Sequence, residues 1–261
     1  MRRAILLLCV AALVSVSAAC DSSSPSAGPT PDTIPSTLTT APAAAGSAAP
    51  VTGPYAPVID PSAFSSTVDN LFLPLRPGMR WEYRATTEEG VESTVVEVTH
   101  NVRTILGVPC VEVRDTVMLD GALKEDTLDW YAQHRDGTVW YFGEDTKEYE
   151  GGRVSSTEGS WTAGVDGALP GIVMPAQPQV GDRYRQEYYS GHAEDMAEVL
   201  SLGGSVVVPA GPYGGAVETR DTTPLEPQAV ERKYYAPGVG AVLTVDVGAG
   251  GVRDELIRFT P

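Results

Sequence analysis

The sequence predicts an all-β domain built as an antiparallel meander, and three observations predict it. Asp120-Gly121, Asp136-Gly137 and Gly151-Gly152 each stand between runs rich in β-branched and aromatic residues, the strongest short-range signal for two-residue hairpins. Farther on, SVVVPAGPYGGAVETRD and ERKYYAPGVGAVLTVDVG repeat the pattern, with Gly and Pro punctuating valine-rich runs. No long stretch carries helical periodicity.

The elements follow in chain order. Residues 1–19 read as a signal peptide: Arg2 and Arg3 precede an apolar run, Ala4 to Val16, that is short for a membrane span. Small residues Ser17, Ala18 and Ala19 stand directly before Cys20. This arrangement resembles the lipobox of bacterial lipoproteins, although Ser17 occupies the position three before the cysteine where that family usually carries Leu. The resemblance implies cleavage before Cys20, a lipid on its sulfur and acylation of the new amino group. Ordinary signal-peptidase cleavage, with Cys20 left as a free thiol, is the rival reading.

Residues 20–54 then form the lipidated cysteine and a Ser/Thr/Pro/Ala linker without aromatic residues and nearly without charge. Such a segment cannot bury enough surface to offset its chain entropy, so disorder is expected, with proline keeping it extended. Removal of Arg2 and Arg3 leaves 16 basic against 34 acidic residues, a mature charge near −18. That balance excludes a nucleic-acid partner, which requires a basic face. It also favours a monomer, and it means that an anionic membrane holds the protein through acyl chains and not through charge. The expected location is the extracytoplasmic face of the cell membrane.

Residues 55–261 are enough for one β-rich globular domain. Asp60-Pro61 suits the start of a helical turn, with Asp as cap and Pro at the first helical position. DVGAGGVRDELIRFTP reads as a last hairpin that closes the sheet. In VPCVEV, Cys110 sits between valines as a buried inert thiol, and with Cys20 lipidated it has no partner for a disulfide.

Hairpin arithmetic supplies the candidate sites. A two-residue turn at Asp136-Gly137 opposes Tyr131 to Phe142 and Gln133 to Trp140 on one face, with Ala132 opposite Tyr141 on the other. Tyr131, Trp140 and Phe142 then form either core, covered by the 60–75 segment, or one wall of a groove for a small apolar or glycan ligand. The turn at Asp120-Gly121 opposes Asp115 to Asp126, and Ser190-Gly191 opposes Glu187 to Glu194. Facing carboxylates suggest either a solvated acidic face or a Ca²⁺ site.

GHAEDMAEVL places His192, Glu194 and Asp195 close together in sequence, but neither a helix nor a strand brings all three to one point. No metalloprotease, phosphate-loop, serine-hydrolase or EF-hand motif is present, so no catalytic residue is assigned and no cofactor is expected. Three readings compete: a non-catalytic envelope lipoprotein that binds an apolar or glycan ligand or an envelope partner, a surface hydrolase using acidic residues, and a Ca²⁺-binding structural scaffold.

IDPSAFSSTVDNLFLPLRPGMRWEYR, DWYAQHRDGTVWYFGEDTKEYEGG, VVVPAGPY and KYYAPGVGAVLTV resemble a group of secreted bacterial proteins and lipoproteins to which no reaction is assigned. The resemblance covers most of residues 57–246. It implies a strongly twisted antiparallel sheet, open or partly closed into a barrel, and carries no site residues.

Overall fold

The computed structural model of the protein describes residues 54–261; the signal peptide, Cys20 and residues 21–53 of the linker lie outside the described residues. A 3-10 turn, Pro61–Ala63, is capped by Asp60, whose side chain accepts from the Ser62 amide. The strands that follow are β1 (Phe64–Ser65), β2 (Arg80–Thr86), β3 (Val91–Ile105), β4 (Val108–Leu119), β5 (Ala122–His134), β6 (Val139–Glu150), β7 (Arg153–Ser156) and β8 (Trp161–Thr162). Then come β9 (Leu169–Met174), β10 (Arg183–Arg185), β11 (Glu187–Tyr188), β12 (Met196–Val208), β13 (Gly211–Thr222), β14 (Val230–Ala236), β15 (Gly240–Asp246) and β16 (Val252–Thr260).

Among the described residues these form one sixteen-stranded sheet. Strands β2 to β6 and then β9 run in chain order along one side, β12 to β16 along the other, and β16 pairs with β2. The C-terminal hairpin therefore closes the sheet, as its alternation predicts. The two ends of the path, β10 and β11, are consecutive pieces of one segment. Arg183–Arg185 pairs with β12 and Glu187–Tyr188 with β9. The result is an all-β antiparallel barrel, nearly closed, with one unsealed seam at 183–188.

Gln186 sits at the switch between the two pairings. Its amide donates to the Asp195 carbonyl at 2.7 Å, and its side-chain Nε2 donates to Asp221 Oδ2 at 3.2 Å. The approach of β9 to this point requires a residue without a side chain: a Cβ on Gly171 would overlap the Gln186 carbonyl and lie 2.6 Å from the Glu187 nitrogen. Backbone cannot yield as a side chain does. Gly171→Ala is therefore expected to cost about 1–3 kcal/mol, read as a fall in melting temperature. Gly214→Ala, where a Cβ meets nothing within 4 Å, should leave the melting temperature unchanged.

The segment between β1 and β2 plugs one end of the barrel. Asn70 Nδ2 donates to the carbonyls of Gly137 and Pro175, while the Asp69 and Asn70 amides donate to Gln133 Oε1. The Gly238 amide donates to the Leu71 carbonyl. Residues 137, 175 and 238 belong to loops at the same end of the strands. Fastened there, the segment buries Leu73, Leu75 and Met79 in the core.

Turn chemistry decides where the predicted registers hold. Gly151 and Gly152 both adopt positive φ, and so do Asp120 and Gly121, as two-residue hairpins require. At Asp136-Gly137 only Gly137 does so, and His134 bonds to Thr138 across a three-residue loop. This corrects the pairing: Tyr131 faces Tyr141, Ala132 faces Trp140 and Gln133 faces Val139. A bulge before Gly143 restores the predicted register beyond it, with Trp130 opposite Gly143. After Asp120-Gly121 a bulge at Lys124 shifts the strand by one residue, so Asp115 faces Thr127 and Asp126 faces Thr116. Near Ser190-Gly191, Arg183 pairs with Glu198, but the predicted Glu187–Glu194 pair does not form, because Glu187 turns to β9 and becomes the partner of Pro170.

Candidate functional site

Strand alternation sends every second side chain into the barrel. On β3 the inward series is Glu92, Thr94, Val96 and Val98; on β4 it is Val113, Asp115 and Val117, all buried. On β5, Thr127 and Asp129 precede Tyr131 on the same face. The end sealed by the 66–79 plug is apolar, and the opposite end is acidic. Glu92, Asp115, Asp129, Glu144, Glu187, Asp221, Glu231 and Asp254 are all buried, against a single buried lysine or arginine among the described residues, Lys233.

Lys233 is 3% exposed. Its Nζ lies 3.1 Å from Asp221 Oδ2 and 3.2 Å from Glu231 Oε2. Burial opposes its charge, yet the two carboxylates hold its pKa well above the usual lysine value. One ammonium shared by two acids leaves Glu231 under-compensated; burial raises it to about 7, against the pull of Lys233 and with the push of Asp221.

Among the described residues, Glu92, Asp115, Asp129 and Asp254 are buried acids without a lysine or arginine at ion-pair distance. Burial first, then neighbouring carboxylates, pushes Asp254 up to about 8 and Glu92 up to about 7. Asp129 rises to about 7 through burial, although Tyr141 donates its hydroxyl to Oδ1 at 2.6 Å. Asp115 stands well above the carboxylate range, through burial and then through Glu125, Asp129, Asp254 and Glu92. Glu92 Oε1, Thr94 Oγ1 and Asp115 Oδ1 are buried without a hydrogen-bond partner among the described residues.

Asp115 and Asp129, with Glu125, border a chamber of about 30 Å³. Leu73 and Leu75 from the plug form its floor. Trp81, Tyr83 and Tyr131 supply an aromatic wall, and Asp115, Glu125 and Asp129 an acidic one. The Tyr83 hydroxyl is committed to the Ala241 carbonyl at 2.8 Å and the Trp81 indole to the Val239 carbonyl at 2.7 Å. A second pocket, of about 390 Å³, is lined by Arg103, Glu144, Asp145, Trp161 and Tyr189. Its carboxylates are engaged: Thr146 donates to Glu144 Oε2 at 3.0 Å, and Lys147 pairs with Asp145 at 2.8 Å.

The structure separates the residues expected to act together. Tyr131 points inward and stacks on Tyr141 with ring centroids 4.8 Å apart. Trp140 and Phe142 point outward, where Phe64 meets both edge-on at 6.0 and 5.6 Å. The three aromatics thus form core on two faces of the hairpin and not one groove, because the loop at 135–137 holds one residue more than a two-residue turn.

The expected Ca²⁺ set divides likewise. Asp115 faces the interior, whereas Asp126 is outside and clamped by Arg114 at 2.7 and 2.9 Å. Glu187 accepts from the Trp161 indole at 2.9 Å, and Glu194 caps the Gly191 amide at 2.8 Å. Among the described residues no group of three His, Cys, Asp or Glu side chains is placed to hold a metal ion. His192 stacks on Tyr189 at 4.3 Å, in the turn. Cys110 is buried, with its thiol pushed up to about 12 chiefly by burial.

The interior acids carried a readable signal that the hairpin arithmetic passed over. Asp115 is two residues from Val113 and from Val117, and Asp129 is two from Tyr131, so each shares a face with core residues.

No protein-family model and no curated protein matches the chain. Among solved structures, the chain aligns with a protein from Parabacteroides distasonis described as a lipoprotein, at 13% identity and a TM-score of 0.41. The alignment covers 73% of this chain and 99% of that one.

Proposed function

We propose that the chain is an extracytoplasmic lipoprotein, acylated at Cys20, whose barrel is a non-catalytic binding body held off the membrane by residues 21–54. The anchor rests on the sequence: small residues before Cys20, an apolar run before them and a linker that cannot fold after it. The binding role rests on one observation, the chamber lined by Asp115, whose buried Oδ1 lacks a donor among the described residues. Unsatisfied buried polar groups are few in native proteins and each costs about 1–3 kcal/mol, so one that lines a cavity supports an occupant. The chamber's size narrows that occupant from the apolar or glycan class to a group of a few heavy atoms.

Replacing Cys20 with serine should move the protein from the membrane fraction to the soluble extracytoplasmic fraction. Retention on membranes to the wild-type extent would refute the anchor. Native mass spectrometry of the wild-type protein from its own host tests the binding role, which predicts a small co-purifying adduct.

A further inference from the structure

We propose that the chamber receives the ammonium group of a small aliphatic amine, between the acidic wall at Asp115 and Asp129 and the rings of Trp81, Tyr83 and Tyr131. This rests on the reading of the barrel as a binding body and names the ligand class.

Size decides first. A cavity needs roughly 10–15 Å³ of such volume to admit one water, and the chamber has about 30 Å³. A sugar ring or an acyl chain does not fit; an ammonium bearing a methyl group does.

Donor chemistry decides next. The chamber wall offers acceptors: Asp115 Oδ1 has no partner among the described residues and its residue is 8% exposed, while Glu125 and Asp129 each receive one hydroxyl hydrogen bond and keep further lone pairs. The guest they lack is rich in donors. An ammonium carries three N–H donors and no acceptor, whereas an anion or a neutral ether would add to the surplus. On the opposite wall the polar tips of Trp81 and Tyr83 are already bonded to backbone carbonyls, and ring faces attract ammonium groups.

The barrel also contains its own precedent. Lys233 places an ammonium, 3% exposed, between two inward carboxylates at 3.1 and 3.2 Å. The same interior therefore accepts a desolvated ammonium when two acids flank it. A divalent metal is the weaker occupant, because Ca²⁺ takes six to eight oxygens and no group of three metal-binding side chains is assembled among the described residues.

The test is calorimetric titration of the purified domain with methylammonium chloride at about pH 8, where the interior carboxylates are most in need of a cation. Tetramethylammonium, sodium and calcium chlorides at equal ionic strength serve as comparisons. Saturable binding of one methylammonium per chain, with no saturable binding of tetramethylammonium, is the expected result. Asp115→Asn should weaken methylammonium binding at least about tenfold. Asp115→Asn keeps the side chain's shape and relieves its crowding by Glu125, Asp129, Asp254 and Glu92, so it should melt no lower than wild type and loss of binding would not be loss of fold.

No saturable methylammonium binding, equal binding of calcium, or full binding by Asp115→Asn would each overturn the proposal. Native mass spectrometry separates the two levels: a neutral co-purifying ligand with no methylammonium binding defeats the ammonium assignment and leaves the binding role intact. An empty protein with no response to any cation defeats both.

Discussion

Replacing Lys233 with methionine is expected to lower the melting temperature by roughly 10 °C, the largest effect of any single substitution in the barrel wall. The cause is the charge that remains behind. Lys233 Nζ is the cation within 3.2 Å of both Asp221 and Glu231, and all three side chains are buried. Breaking a buried ionic group by removing one partner costs about 3–5 kcal/mol, because the others stay desolvated and uncompensated. A combined Lys233→Met, Asp221→Asn and Glu231→Gln variant should recover most of the loss, since no charge is then stranded. The deficit of the single variant should also shrink toward about pH 5, as the stranded acids take up protons. Thermal denaturation of the three proteins at two pH values checks both statements. An unchanged melting temperature for Lys233→Met would mean that the triad contributes nothing to the fold.

The second large effect is that the wild-type domain gains stability on acidification from about pH 8 to about pH 5. The sign follows from proton counting. Glu92, Asp129 and Glu231 are raised to about 7 and Asp254 to about 8, whereas the same groups in an unfolded chain titrate near 4. Between those values the folded state holds protons that the unfolded state has released. Stability therefore falls as pH rises through this window, and the contribution is complete below about pH 4 and gone above about pH 8.

The outer surface acts in the opposite sense. Arg258 and Arg80 bond to Glu82, and Arg183 and Arg220 bond to Glu198, so both carboxyls are lowered. Their contribution is present above the ordinary glutamate value and is lost as pH falls through the lowered one. A maximum near pH 5 results, with the pH 8 value lower by several kcal/mol, on the order of 10 °C in melting temperature. A melting temperature that is flat or rises between pH 5 and pH 8 would show that the interior acids are hydrated and ionised.

How far the sequence announces this architecture depends on where each constraint resides. Turns whose chemistry is local were legible: both central residues of Asp120-Gly121 and of Gly151-Gly152 are left-handed, and Asn, Asp and Gly are the residues that tolerate that conformation. Leu106-Gly107 makes the same kind of turn between β3 and β4 with φ of 50° and 79°, but leucine gives no signal for it. Asp136-Gly137 looks identical to Asp120-Gly121 in sequence and makes a different loop. The consequence was a one-residue slip that exchanged the faces of the hairpin.

The closure of the barrel was less accessible still. It depends on β16 meeting β2 and on Gln186 bonding to Asp221, contacts between residues far apart in the chain that no local pattern encodes. The chamber lay between these cases. The alternation of Val113, Asp115 and Val117 places an acid on the core face, but only the assembled wall brings it near Glu125, Asp129 and Asp254.

The segment at 183–188 has a consequence for how copies of this molecule meet one another. An open sheet ends in two rows of idle amides and carbonyls, and molecules crowded side by side can polymerise through such rows. Here the same six residues pair with Met196–Glu198 on one margin and Leu169–Pro170 on the other, so both margins are capped where they come together. That stretch of the edge is thus closed to a neighbour by the path of the backbone, independently of the negative charge outside.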